Sequence, residues 1–227
     1  MLRLYLQAPF GVFRTFMAGS FRPTAEFITP SAAYGLLLNV AGIEMRRDDG
    51  KSPMTLIANG LPAAQIALGA LEFPLQHSLY QQLHNYPVGS TGKERAPSTK
   101  GNKYNIVPVR RAVLSRIRAY ICLDGNDALE SQVHEGLAGN VPRAYGLPFL
   151  GDNNFLLDRF DPVEQLTPAY WFKPVAAEED GLRERVTRLT ITIDRQDMAK
   201  TVSALFAPCA EPTAEIPRDA WIEAGYR

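Results

Sequence analysis

Three histidines, His77, His84 and His134, are the first place to look for chemistry in this sequence. Metal-independent RNA cleavage needs a base and an acid beside a scissile 2′-hydroxyl, and imidazole can supply both near neutral pH. His134 falls on the polar side of an amphipathic segment, where solvation is its ordinary role. His77 and His84 flank a basic stretch, yet no second catalytic group stands at a matching spacing. Gly89-Ser-Thr-Gly92-Lys93 has the outline of a phosphate loop but fails twice. Pro87 stands where the first glycine is needed, and Glu94 replaces the hydroxyl residue that would hold magnesium. Asp152-Asn153-Asn154, with Asp158 and Asp161, offers oxygen ligands without EF-hand spacing or its terminal glutamate, so turn capping is the expected role. Cys122 and Cys209 are far apart; Cys122 sits in an apolar run as a small buried hydrophobe. Nothing clusters enough ligands for zinc, and no Gly-x-Ser-x-Gly elbow marks an acyl-transfer nucleophile. The chemistry-bearing residues therefore give no catalytic set, no metal site and no cofactor motif.

Charge is more informative than any motif. The chain of 227 residues is formally neutral, with 24 basic and 24 acidic residues. From Phe73 to Leu123 there are eight basic residues (Lys93, Arg95, Lys100, Lys103, Arg110, Arg111, Arg116, Arg118) against Glu94 alone, a local charge of +7. The remainder is −7, and the first 25 residues hold Arg3, Arg14 and Arg22 with no acid. Such a polarised surface suits a phosphate backbone, although a solvated lysine-rich loop is the simpler alternative. No apolar run is long enough to span a membrane, and the N-terminal run, interrupted by Pro9, is too short for a signal peptide. A cytoplasmic setting without membrane contact is expected, where a disulfide would be out of place.

These residues need elements to position them. Arg3 to Ala8 alternates as an opening strand. Thr29 caps a helix that starts at Pro30 and ends at Gly42; it is apolar nearly all round and is expected to be buried, with no room at Gly35 for a branched side chain. Gln65 to Phe73 reads as a strand that Ser78 to Tyr86 continues. The polar, Gly-rich stretch Val88 to Lys103 then separates two further β-rich runs, Tyr104 to Val109 and Val113 to Leu123. A long basic loop between extended arms is expected to protrude as a hairpin with a mobile tip. Asn126 to Leu137 is a second helix, Tyr145 to Phe155 a Gly/Pro turn, and Arg188 to Ile193 the closing strand. Strand, helix, strand, strand, helix, strand is the order of an α+β ferredoxin-like, split βαβ (RRM-like) fold, although the sheet-face aromatics of an ordinary RNA-recognition module are missing. We expect a single domain over 1–227, a hairpin over about 74–118 and a C-terminal portion over about 140–227.

Leu4-Tyr-Leu-Gln-Ala-Pro-Phe-Gly-Val-Phe-Arg14, Phe21-Arg-Pro-Thr24 and Phe27-Ile-Thr-Pro-Ser-Ala-Ala-Tyr-Gly-Leu-Leu37, with the later Gly146-Leu-Pro-Phe-Leu-Gly151 turn, resemble the CRISPR-associated Cas-five family of type I systems, closest to its type I-B-like or myxobacterial branch. The resemblance implies a ferredoxin-like domain with a thumb hairpin that grips the 5′ handle of the crRNA. It further implies neighbours, a Cas-seven backbone subunit and a Cas-eight large subunit, with target DNA reached through the complex. On that reading Arg14 and Arg22 contact handle phosphates, and Ser31 with the first N–H groups of its helix offers an anion site. Lys93, Arg95, Lys100 and Lys103 hold RNA from the thumb, with Arg110 and Arg111 at its base. The ordinary alternative for Arg14 and Arg22 is pairing with Glu26 or Glu44. Some members process pre-crRNA with a Tyr/Lys/His set. No Lys-His pair matches here, so the competing endoribonuclease reading rests on Tyr34, His77 or His84; a general RNA chaperone is a third possibility.

Overall fold

The computed structural model describes residues 1–15, 21–51, 55–87, 104–143, 146–175 and 185–225. Alternation at the N-terminus gives β1, Leu2–Gly11, with Leu4, Leu6 and Ala8 buried on one face. β1 runs through Pro9, which has no N–H to give a ladder. Its outer neighbour, β8 (Arg159–Pro162), pairs only along Leu4–Gln7, so at Pro9 that side of β1 is an edge, where proline is tolerated.

The spine of the molecule is β7, Tyr104–Asp124, a strand of 21 residues. The two β-rich runs expected there are one strand, and Arg110 and Arg111 interrupt its apolar pattern without breaking its backbone. β1 lies antiparallel along one side of it, Leu114 to Leu123. On the other side β5 (Ala64–Glu72) pairs with Arg118–Asp124 and β6 (Leu75–Pro87) with Tyr104–Ser115. β5 and β6 therefore follow one another along the same partner, which is the continuation read from the sequence. They break at Phe73-Pro74, opposite Arg116, whose φ of 59° marks a bulge.

Strand order in the main sheet is β8-β1-β7-β5, followed by β9 (Tyr170–Pro174), β11 (Val202–Pro208) and β10 (Thr187–Thr192). β12 (Ile222–Ala224) also pairs with β5. The run at 188–193, expected to close the sheet, is β10 and lies at the opposite edge, paired with β11. β8 takes the place beside β1. Period-two alternation correctly marks a strand but carries no information about its neighbour.

Two helices are found among the described residues, making an α+β fold built on a largely antiparallel sheet. α1, Pro30–Val40, begins as expected: the Thr29 hydroxyl accepts from the Ala32 N–H at 3.2 Å, and Gly42 takes φ +72° after the last turn. α2, Asp127–Leu137, is capped by Asn126, whose side chain accepts from the Leu129 N–H at 3.0 Å. The helices meet where Gly136 faces Val40; a Cβ there would lie 1.9 Å from the Val40 carbonyl oxygen. Gly35 differs from expectation, because a Cβ on it would meet only Met45, at 3.6 Å. The helix-side core gathers Leu4, Leu6, Leu37, Leu38, Ile66, Leu68, Ile121 and Leu129. A smaller cluster around Trp171, Tyr120 and Cys122 covers part of the other face. There burial pushes the Cys122 thiol up to about 12, so it stays protonated and inert. No helix among the described residues is long and apolar enough to cross a membrane.

Candidate nucleic-acid interface

Three short stretches converge on the distal half of β7. After β1, Val12 and Phe13 are held by the returning chain: the Phe13 N–H donates to the Thr24 hydroxyl at 2.8 Å and Ala25 N–H to the Phe13 carbonyl at 2.7 Å. This closure leaves Arg14 exposed, bridged to Thr24, and delivers β2, Phe21–Arg22, parallel to β7. Phe21 faces Arg110 in register, and Arg22 faces Arg111. From the other side of β7, Tyr80 of β6 is opposite Arg110 and Leu79 opposite Arg111. Paired residues share a face of the sheet. Arg110, Ser78, Tyr80 and Phe21 thus belong to one face, and Arg111, Arg22, Leu79 and Gln81 to the other.

The 146–156 turn supplies the third stretch. Val12 N–H donates to the Leu150 carbonyl at 3.2 Å, and a Cβ on Gly151 would collide with the Val12 carbonyl, so this glycine seats the turn against the end of β1. Asp152 is thereby aimed at β7. Its Oδ2 accepts from Arg111 at 2.6 Å, and Oδ1 accepts from the Asn154 N–H at 3.1 Å and side-chain amide at 2.8 Å. Asp152 is an Asx-turn acceptor, as its sequence context suggests, and also the anchor of an arginine. Burial pushes its carboxyl up, but the hydrogen bonds from Asn154 and the Arg111 guanidinium outweigh that and hold it below the usual range.

Of the expected binding residues, Arg14, Arg22, Arg110 and Arg111 come from the described parts of this region. Arg110 donates from Nε to the Ser78 hydroxyl at 2.8 Å, and its two terminal nitrogens have no partner among the described residues. Arg14 and Arg22 make no ion pair among the described residues. Glu44 is turned onto Arg46 at 3.2 Å, so the pairing with Glu26 or Glu44 considered above is not found there. Among the described residues of this group, four guanidinia stand with one carboxylate. Ser31 stands apart: it is 6% exposed and its hydroxyl is 3.1 Å from that of Thr29, inside a capped helix start. Lys93, Arg95, Lys100 and Lys103 lie outside the described residues, as does the side chain of His84. His77 is exposed with Nε2 2.7 Å from the Ser115 hydroxyl, and Tyr34 is buried and donates to the Pro62 carbonyl, which removes it from any surface chemistry.

Sequence reasoning missed Asp152 as the partner of Arg111, since the two are 41 positions apart. It also passed over Tyr80, whose only signal is its place in the alternation Ser78-Tyr80-Gln82.

Residues 1–193 match the family described as CRISPR-associated protein (Cas_Cas5). The chain belongs to that family. Among solved structures it is similar to a chain of a "CRISPR RNA-guided surveillance complex", at 12% identity and TM-score 0.57, with 96% of this chain and 95% of that one covered. It is also similar to one described as "Crystal structure of Cas protein", at 16% identity and TM-score 0.52, covering 95% and 97% of the two chains. These likenesses concern the fold over essentially its whole length. No curated protein sequence matches the chain.

Proposed function

We propose that this protein is a non-catalytic, cytoplasmic RNA-binding subunit of a type I CRISPR Cascade complex, gripping the 5′ handle of the crRNA. It would cap a Cas-seven backbone beside the large Cas-eight subunit, reaching target DNA through the assembly. The observation that carries the reading is the set Arg14, Arg22, Arg110 and Arg111 on and beside the distal half of β7, in a chain of the Cas-five family. Guanidinia with free N–H groups suit phosphate oxygens, and several on one strand can track a backbone. The strand order β8-β1-β7-β5 with α1 and α2 supports reading a ferredoxin-like unit, and we read the entire chain as one such domain. In this reading β6 and the distal part of β7 are the arms of the thumb, over about 74–118, and Lys93, Arg95, Lys100 and Lys103 add charge between them. Ser31 would act through the start of α1 rather than by direct contact.

The buried Tyr34 and the Ser115-bound His77 do not assemble a cleavage site with each other. The deciding experiment incubates the purified protein with a labelled repeat hairpin in chelator. Retention of intact RNA that competes with a handle-derived strand is expected. Site-specific cleavage lost in His77→Ala or His84→Ala would overturn the non-catalytic reading, and equal retention of unrelated strands would leave only a general RNA chaperone.

A further inference from the structure

The two faces of distal β7 differ in kind. One holds Arg22 and the Arg111–Asp152 pair, whereas the other sets Arg110 between two aromatic residues, in one row across three strands: Phe21, Arg110, Tyr80. Phe21 is 43% exposed and Tyr80 76% exposed, so neither ring is used by the core. Single exposed apolar residues are common on protein surfaces and need no explanation. Two rings in register on either side of an exposed arginine are a different arrangement. Strands lie about 4.8 Å apart, so the two ring-bearing backbones are separated by about 10 Å, with the guanidinium between them. The hydrogen bond from Arg110 Nε to Ser78, two residues from Tyr80 on the same face, holds the arginine stem on the side of the rings.

We propose that Phe21, Arg110 and Tyr80 form a stacking platform for unpaired RNA bases. The rings take base faces, and the guanidinium holds the connecting phosphate. Rings and planar cations are the usual hosts of unstacked bases, and they bind them without reading an edge, so the platform is tolerant of base identity. This inference rests on the RNA-binding reading above and deepens it: part of the affinity comes from bases rather than backbone charge.

The test compares a fluorescent decauridylate with an abasic strand of equal length and charge, measured by anisotropy on the full chain. Wild type should bind decauridylate at least tenfold more tightly, since each stacked base is worth roughly fivefold or more and two rings are offered. Phe21→Leu combined with Tyr80→Leu should erase that difference while leaving abasic-strand affinity and its salt dependence unchanged, and Phe21→Tyr should preserve it. A 2-aminopurine placed in the strand should be quenched on binding to wild type, a reading that does not depend on any variant folding. Equal affinity of wild type for the two strands, with steep salt dependence, would overturn the platform and leave the RNA-binding reading standing. Binding of neither strand would overturn both.

Discussion

Asp152 decides how much of the arginine group is available. Its carboxylate is one-fifth exposed and engages Arg111 at 2.6 Å, so Arg111 is held as much as it is offered. Because the folded-state value is depressed, its contribution to stability is complete above the unfolded carboxylate value of about 4 and is lost as pH falls through the lower folded value. Asp152→Asn should therefore melt lower at neutral pH, by about 1 kcal/mol, and converge on wild type in acid when melting is followed by circular dichroism. The same variant frees Arg111, and its RNA affinity should show a salt slope steeper by about 0.7, one further phosphate on a single strand. Glycines offer a second test at this scale. Gly136→Ala drives a methyl into the Val40 carbonyl and should cost about 1–3 kcal/mol, whereas Gly35→Ala meets only Met45 and should be neutral or gain up to about 1 kcal/mol of helix propensity. Thermal melts of the pair distinguish a helix-helix contact that excludes a side chain from a helix position that has room for one.

At the scale of elements, the β6–β7 pair does the positioning. Val88 to Lys103 carries four basic residues and few apolar ones, a composition that suits a charged ligand better than a core. Replacing Lys93, Arg95, Lys100 and Lys103 together by alanine should leave the melting temperature nearly unchanged and weaken co-purification with the other subunits on crRNA. A quadruple variant that assembles like wild type would show that this segment is not the thumb. The elements legible in the sequence were those with a local cause: the alternation of β1, the Thr29-Pro30 start and Gly42 end of α1, the Asn126 cap of α2. The arginines were legible too, because a run without acids is visible in one dimension. What was not legible depends on pairing. Nothing local says that 188–193 joins β11 rather than β1, that β8 takes its place, or that the two-residue β2 lies against Arg110 and Arg111. Asp152 reads as a turn former because its partner comes from another strand.

On the scale of the whole molecule, a formally neutral chain gathers positive charge on both faces of distal β7, Arg110 on one and Arg22 and Arg111 on the other, as the region offered to an RNA backbone. Neutrality keeps long-range attraction modest, so binding should come from contacts made at that region, each displacing condensed counterions. The most direct measurement is the affinity of the purified protein for a single-stranded, repeat-derived RNA across a range of salt concentrations. Four to six phosphate contacts predict a slope of log K against log salt of roughly −3 to −4, and Arg22→Ala with Arg110→Ala should reduce its magnitude by about 1.4. A flat response in wild type, or a slope unmoved by removing both arginines, would contradict the assignment of this region to RNA.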